Sequence, residues 1–178
     1  IESRRGEMLG FWSKVEDGTI PTRVTHNDTK INNILFDKKG EVLCAIDLDT
    51  VMNSTSLNDF GDAIRSYANT GEEDDRDLSR VGMSLDMFRA YTEGYLSQRA
   101  KQLTEPEIDN LAFSARYITY EQVLRFLMDY IDGDTYYKIK YPEHNLVRTH
   151  AQYELLRSME KQYGTMCDIV RETVAKYR

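Results

Sequence analysis

A short polar loop near the start of the sequence carries the residue types that phosphoryl transfer to a hydroxyl requires. The run Thr25–Asn33 places His26, Asp28, Lys30 and Asn33 at the spacing H-x-D-x-K-x-x-N. A carboxylate such as Asp28 can hold the attacking hydroxyl, and a cation such as Lys30 can contact the γ-phosphate. An amide such as Asn33 can bind a metal ion, while His26 can fix the loop. The spacing indicates phosphotransfer, on condition that the surrounding sequence agrees.

The residues after the loop predict a β-hairpin that ends in two acids. Two apolar runs, Ile34–Phe36 and Val42–Ile46, flank a turn whose glycine can adopt a positive φ. The second run leads into Asp47 and Asp49, which alternation along a strand would place on one face. Converging carboxylates suit Mg²⁺, a hard cation that binds oxygen ligands. We therefore expect both acids to join Asn33 as metal ligands.

This combination resembles the aminoglycoside phosphotransferase family, which shares the protein-kinase-like fold with choline kinases. The protein-kinase catalytic loop, H-R-D-x-x-x-x-N, has its residues at the offsets found in His26–Asn33. Together with Ile46–Val51 and Asp59–Arg65, the loop is similar to that of the N-acetylhexosamine 1-kinases within the family. The resemblance implies an ATP- and Mg²⁺-dependent enzyme that phosphorylates a small molecule, here an amino sugar at its anomeric oxygen.

The resemblance also implies a role for each residue of the loop. Asp28 would position the acceptor hydroxyl and take its proton, and Lys30 would contact the transferred phosphate. His26 would act as a hydrogen-bonded scaffold rather than as a proton carrier. Asn27 stands where many protein kinases have arginine, so no partner for a phosphorylated activation loop is present. This difference favours a small-molecule acceptor.

Two further acidic patterns offer alternative interpretations. Asp59-Phe60-Gly61 spells the metal-binding motif of protein kinases, but it falls at a predicted helix start. A capping box from Ser56 to Asp59 explains that acid, so Asp47 remains the predicted metal ligand. Ile46–Val51 also resembles the D-x-D motif of haloacid-dehalogenase phosphatases, with Asp47 as nucleophile and Asp49 as acid/base. That fold needs strands alternating with helices downstream, whereas the downstream sequence has helical periodicity throughout.

Two groups of polar residues are candidates for the acceptor pocket. Asp62 and Arg65 lie three residues apart and share a face of a predicted helix. Tyr117, Glu121 and Arg125 recur at every fourth position on a longer predicted helix. These side chains could stack on a sugar and bond its hydroxyls. A solvated or ion-paired helix face is the alternative for each of them.

Composition restricts the partners and the compartment. The chain has 178 residues, of which 40% are hydrophobic and 30% charged, as in a soluble globular domain. Lys and Arg number 23 against 30 Asp and Glu, so the net charge is −7. This acidity argues against binding to nucleic acid or to an anionic membrane surface.

The two cysteines and the apolar runs indicate a cytoplasmic protein. Cys44 and Cys167 lack the spacing of a metal site or a disulfide framework, so both are expected to be small buried hydrophobic residues. No apolar run approaches the roughly twenty residues of a membrane span. The first residues contain no signal-peptide core.

Helical periodicity predicts a single domain, residues 1–178, that is mainly α with a small β catalytic edge (α+β). Helices are expected over Glu2–Glu16, from Ser56 to about Asn69, after the cap Ser84, from the capping box Thr104–Glu107 to Gly133, and over His144–Tyr177. Thr70–Arg80 is expected to be a solvated loop, and no strand is expected beyond Val51. The resemblance implies the C-terminal lobe of a protein-kinase-like fold.

The sequence before His26 contains no glycine-rich loop or hairpin that could cover ATP. About 25 residues cannot hold a five-stranded lobe, because strands average about five residues and need turns between them. We therefore expect an absent nucleotide lobe, poor ATP binding and negligible turnover by these residues alone; robust kinase activity would contradict this. A non-catalytic pseudokinase or binding module is one alternative. An aminoglycoside or a choline-like alcohol remains an alternative acceptor.

Overall fold

Five α-helices form the body of the molecule in this computed structural model, which describes residues 1–178. They are α1 (Arg5–Glu16), α2 (Ser56–Tyr67), α3 (Leu85–Arg99), α4 (Glu105–Ile131) and α5 (His144–Tyr177). The long helix α4 packs against both α2 and α5, and α3 packs against α5. The prediction of a mainly α fold with a small β edge is confirmed. None of the helices is both long and apolar enough to cross a membrane.

The core lies where α2, α4 and α5 meet. Phe60, Leu111 and Leu155 have no exposed surface there, and each such side chain contributes about 2–3 kcal/mol through burial. The ring of Phe60 also makes an edge contact with Phe88 at 6.2 Å, which joins α3 to this core. The buried face of α2 therefore sits on a rigid base, and the opposite edge of α2 is free to hold other parts of the chain.

A glycine allows α2 to lie unusually close to α4. A Cβ atom added to Gly61 would lie 2.4 Å from the backbone oxygen of Ser114. Real Cβ atoms do not approach a backbone oxygen so closely, so only glycine fits without moving a helix. The position of α2 relative to α4 thus depends on the absence of a side chain at residue 61.

Four short strands form two antiparallel sheets beside the helices. Strand β2 (Ile34–Phe36) pairs with β3 (Val42–Ala45), as the sequence predicts. Strand β1 (Arg23–Thr25) pairs with β4 (Met52–Ser54), and Thr25 lies opposite Met52. The prediction of no strand beyond Val51 is therefore wrong: β4 is a short segment without apolar alternation, and it is extended because β1 pairs with it. Neither sheet contains the parallel strands that a haloacid-dehalogenase fold requires.

The helix starts agree with the sequence in two of three cases. The capping box of α4 is present, with Thr104 and Glu107 bonded to each other's backbone, and Ser84 caps α3. The predicted capping box of α2 is wrong, because the N-cap is Thr55, whose hydroxyl accepts the N–H of Leu57. Ser56 and Asp59 are thereby free for other contacts.

The hairpin β2–β3 has little packed against it. Cys44, predicted to be buried, is exposed, and Cys167 is only half-buried. Val42 and Leu43 keep 65% and 63% of their surface exposed, although the apolar run predicts a buried strand. The apolar character of this hairpin is therefore not explained by the contacts within these residues.

Candidate active site

The polar loop between β1 and β2 is anchored to the first turns of α2. The carboxylate of Asp59 accepts the backbone N–H groups of His26 and Asn27 at 3.0 and 2.7 Å. One turn later, Asp62 accepts the backbone N–H of Thr29 at 2.7 Å. These carboxylates fix the loop's path, including the left-handed backbone of Asn27 with its φ of 61°. The helix was predicted, but its function as a clamp for the loop was not.

Asp28 and Asn33, which the spacing predicts to work together, are in direct contact. The side-chain N–H₂ of Asn33 donates to Oδ2 of Asp28 at 2.8 Å and to its backbone oxygen at 2.9 Å. Lys30 donates to the same carboxylate oxygen at 2.7 Å. The second oxygen of Asp28 has no hydrogen bond within the protein, so it is available to accept a proton from a bound hydroxyl.

Lys30 lies where three acids influence its charge. Burial lowers the pKa of Lys30, but the hydrogen bond and charge of Asp28, with further charge from Asp47 and Asp62, outweigh burial and raise that pKa overall. The side chain therefore remains a cation at neutral pH. In this structure its direct partner is the Asp28 carboxylate, and the γ-phosphate contact stays a prediction.

His26 connects the loop to the end of β3. Its Nε2 lies 3.0 Å from the backbone oxygen of Ile46, which requires that this nitrogen carry the hydrogen. The backbone oxygen of His26 accepts the hydroxyl of Thr50 at 2.6 Å. These contacts agree with the scaffold role that the kinase pattern implies.

The predicted metal ligands come together only in part. The N–H of Ile46 donates to the backbone oxygen of Asn33 at 2.9 Å, so the residue before Asp47 lies against the loop. Asp47 has a left-handed backbone, with φ 63° and ψ 59°, and Asp49 lies in a 3₁₀ turn. The prediction that strand alternation places Asp47 and Asp49 on one face is therefore wrong.

Asn33 and Asp47 nevertheless fit a Mg²⁺ ion that takes only a few of its ligands from the protein. No group of three or more His, Cys, Asp or Glu side chains is gathered as a metal cage. Protein-bound Mg²⁺ commonly uses only one or two protein oxygens and completes its shell with water and substrate phosphates. The amide oxygen of Asn33 and the exposed carboxylate of Asp47 could serve in this way. Asp49 forms no salt bridge and no hydrogen bond to the loop.

A polar cavity of about 330 Å³ opens beside Asp28. Of the residues predicted to bind the acceptor, Asp62, Arg65 and Arg125 line this cavity. The others, Tyr117 and Glu121, line a separate groove between α1 and α4. The cavity wall also includes residues that were not predicted: Glu73, Gln122, Phe126, Tyr136, Tyr137 and Arg148.

Tyr117 belongs to an aromatic contact rather than to the cavity. Its ring is stacked on that of Trp12, with 6.4 Å between centroids and an angle of 3° between planes. Burial, together with the charges of Glu121 and Glu16, raises the pKa of Tyr117 to about 12. Residues four apart share a helix face, but Tyr117 and Arg125 are eight residues apart, about 12 Å along the helix axis, so Arg125 reaches the cavity while Tyr117 does not.

Asp62 and Arg65 are held by each other. Both Nε and Nη2 of Arg65 donate to Oδ1 of Asp62, at 3.1 and 2.9 Å, and Nη1 donates to Glu73 at 2.9 Å. Burial lowers the pKa of Arg65, but the charges of Asp62 and Glu73 raise it overall, so the group stays charged. Since Asp62 also holds Thr29, the pair links the loop to the cavity wall.

Arg125 differs from the other basic residues of the cavity because it forms no salt bridge. Its guanidinium lies over the rings of Tyr136 and Tyr137, at 5.8 and 5.5 Å from their centroids. The hydroxyl of Tyr137 accepts a hydrogen bond from Gln122 at 3.2 Å. The cavity therefore offers an unpaired cation and aromatic surface close to the Asp28 loop.

The clamped loop, its Asp–Lys–Asn contacts and the adjoining polar cavity define a phosphotransferase-type site. A model of the phosphotransferase enzyme family, APH, matches residues 3–100, which is more than half of the chain. The chain belongs to this family. The matched segment contains the loop, both sheets, α2 and α3, whereas α4 and α5, which complete the cavity wall, lie outside it.

Proposed function

We propose that this protein is an ATP- and Mg²⁺-dependent kinase whose acceptor is an N-acylated amino sugar. The observation that carries the proposal is the carboxylate of Asp28, held by Lys30 and Asn33 at the edge of a polar cavity. Asp28 would orient the sugar's anomeric hydroxyl and take its proton as the oxygen attacks the γ-phosphate. Lys30 would offset the charge that develops on the transferred group.

The amide oxygen of Asn33 and the carboxylate of Asp47 would hold the metal. When bound, Mg²⁺ supplies neutralisation of charge on the ATP phosphates. Family membership supports the use of both ATP and Mg²⁺. Removal of divalent cations with a chelator is expected to abolish turnover, and added Mg²⁺ is expected to restore it.

The charges of the cavity favour an acceptor without a free ammonium group. Its lining includes four basic residues, Lys30, Arg65, Arg125 and Arg148, against three acids, Asp28, Asp62 and Glu73. Each acid already has a cationic partner within hydrogen-bond distance. Arg125 lies over one face of Tyr136 and one face of Tyr137, so a quaternary ammonium at these rings would lie beside a guanidinium of the same charge. An N-acyl amide is neutral and offers a carbonyl oxygen to a guanidinium.

The nucleotide would be covered by a second lobe that packs on the β2–β3 hairpin. Leu35, Phe36, Val42 and Leu43 are exposed on this hairpin, directly after the catalytic loop. Exposed apolar surface on this scale is typical of a contact with another domain or a ligand. In this proposal the described residues act as the lobe that holds the acceptor and the catalytic loop, as the kinase resemblance implies.

A substrate screen tests the acceptor class. Protein expressed from its complete reading frame would be incubated with ATP and Mg²⁺ and either N-acetylglucosamine, N-acetylgalactosamine, an aminoglycoside or choline. We expect ATP consumption with an N-acetylhexosamine and a phosphate on the anomeric oxygen by phosphorus NMR. Turnover of the aminoglycoside or choline in preference to the sugars would contradict the assignment. No turnover of any acceptor would favour the non-catalytic alternative.

A further inference from the structure

One buried carboxylate holds the segment that brings two tyrosines to the cavity. Asp129 lies in the last turn of α4 and is only 6% exposed. Its carboxylate accepts the consecutive backbone N–H groups of Thr135, Tyr136 and Tyr137, at 2.9, 2.8 and 3.0 Å. Its backbone oxygen accepts the N–H of Asp134 at 2.7 Å. A single residue therefore fixes four successive positions of this segment.

A buried amide extends the network to a third residue of the cavity wall. Asn145, which is fully buried, donates from Nδ2 to Asp129 and to Asp134, both at 2.8 Å. Its amide oxygen accepts from Nη1 of Arg148 at 2.9 Å. We call this pair, Asp129 and Asn145, the polar hub. The hub contacts the backbone of Tyr136 and Tyr137 and the side chain of Arg148, and all three line the cavity beside Asp28.

The hub is not needed to complete a helix or a sheet. The segment 132–137 has no regular secondary structure, and Gly133 and Asp134 have positive φ angles of 88° and 58°. Tyr136 is 73% exposed, so packing does little to hold it in place. Four N–H donors converge on the Asp129 side chain, and only a carboxylate, with two acceptor oxygens, satisfies all of them. An asparagine has one acceptor oxygen and would present its own donors to the segment.

We propose that Asp129, supported by Asn145, is a positioning residue for acceptor binding. Through the backbone of Thr135–Tyr137 it sets where Tyr137 and Arg125 lie relative to the reactive carboxylate of Asp28. Its carboxylate is bonded to backbone N–H groups and to Asn145, so in this proposal it contacts neither ATP nor the transferred phosphate. The inference rests on the proposed kinase function, and it makes the recognition of the acceptor depend on a residue outside the segment matched by the family model.

The substitution Asp129→Asn tests this role, with Asp109→Asn as the matched control. Asp109 lies on the same helix and is exposed. In the full-length enzyme we expect Asp129→Asn to raise the acceptor KM by about 10-fold or more, as for other residues that orient a binding group. The KM for ATP should change by less than about twofold, because the nucleotide contacts are made elsewhere. Asn145→Ala should shift the acceptor KM in the same direction, and Asp109→Asn should shift neither KM.

Hydrogen exchange of the 178-residue chain separates a local from a global effect without requiring activity. Asp129→Asn should accelerate exchange of the amides of Thr135–Tyr137 and leave those of Asp28–Asn33 unchanged. Lost protection throughout the molecule would overturn the proposal, because the hub would then maintain the fold. Local loss of protection with an unchanged acceptor KM would also overturn it. If the wild-type enzyme phosphorylates no acceptor, the kinase proposal and this inference both fail. If Asp129→Asn turns over with an unchanged acceptor KM, only this inference fails.

Discussion

At the scale of single residues, the site contains carboxylates that hold the backbone of the loop in addition to the carboxylate of Asp28. Asp59 and Asp62 follow each other by one helical turn, and both accept N–H groups of the loop 26–29. Hydrogen bonds to an ionised acceptor are about twice as strong as those between neutral groups. The loop can therefore hold Asp28 and Asn33 in place before any substrate arrives.

Substitution of Asp59 tests the clamp at this scale. Asp59→Asn leaves one acceptor oxygen for two backbone donors, so the loop should lose order and kcat should fall by about 10–100-fold. Asp86→Asn is the matched control, because Asp86 likewise lies in the first turn of a helix but is exposed and has no hydrogen bond to the loop. Steady-state rates with saturating ATP and acceptor give the comparison. An Asp59→Asn enzyme with unchanged kcat would show that the clamp is dispensable.

The buried carboxylate of Glu107 should make the stability of the protein depend on pH. Glu107 is fully buried and accepts hydrogen bonds from Arg23, at 2.7 Å, and from Ser56, at 2.8 Å. Burial raises the pKa of Glu107, but the hydrogen bonds from Arg23, the Thr104 backbone and Ser56 lower it to about 2 overall. The folded protein therefore binds this proton less readily than the unfolded chain does, and the contact links β1, α2 and α4.

The sign of the effect follows from that difference. The stabilisation is complete above the ordinary glutamate pKa of about 4.3 and is lost as the pH falls toward about 2. Its size should be about 1–3 kcal/mol in the free energy of unfolding. Urea titrations between pH 6 and about pH 3 should show a smaller loss of stability in Glu107→Gln than in wild type, and Asp109→Asn should behave as wild type. An identical pH dependence in Glu107→Gln would contradict the assignment.

At the scale of elements, the distance between α2 and α4 determines the position of Asp59 and Asp62, the two residues of α2 that hold the loop. Because a Cβ on Gly61 would lie 2.4 Å from the Ser114 backbone, Gly61→Ala should push the helices apart and destabilise the fold by about 1–3 kcal/mol. The control Gly94→Ala lies inside α3 with no atom within 4 Å of its added Cβ, and it should stabilise by up to about 1 kcal/mol. Chemical denaturation measures both. Equal effects of the two substitutions would mean that helix propensity, and not the close contact, governs this site.

The elements themselves could largely be predicted from the sequence. Helical periodicity and the capping residues Ser84 and Thr104 determine α3 and α4 locally, and the β2–β3 hairpin follows from two apolar runs around a turn. Strand β4 could not be predicted, because its extended form depends on pairing with β1. The start of α2 was misread because Asp59 has the spacing of a capping acid but binds a loop that is more than thirty residues earlier.

The contacts within the polar loop were predicted well and the cavity poorly, for the same physical reason. Asp28, Lys30 and Asn33 lie within one loop, so their spacing in sequence reports their spacing in space. The cavity wall joins residues from α2, α4 and α5, from three loops and from the 3₁₀ turn at Thr50, and the polar hub bonds to Tyr137 and Arg148. Three of its residues were predicted from helical spacing: Arg125, and the pair Asp62 and Arg65, which bind each other.

At the scale of the whole molecule, two surfaces converge on the loop. The polar cavity opens on the side of α2 and α4, and the exposed apolar hairpin lies next to the same loop in the chain. Phosphoryl transfer needs an acceptor and a nucleotide brought in line at one carboxylate. The distribution of polar and apolar surface fits an acceptor in the cavity and a nucleotide under a lobe on the hairpin.

The Asp28→Asn substitution tests the central claim most directly. Asparagine keeps the size of the side chain and an acceptor oxygen for Lys30 but cannot take the hydroxyl proton. The measurement is the rate of phosphate transfer from ATP to an N-acetylhexosamine by the full-length enzyme, with Asp109→Asn, a change at an exposed position of α4, as control. We predict a loss of at least about 10²-fold in kcat for Asp28→Asn and wild-type rates for Asp109→Asn. A folded Asp28→Asn enzyme that transfers phosphate at the wild-type rate would contradict the account.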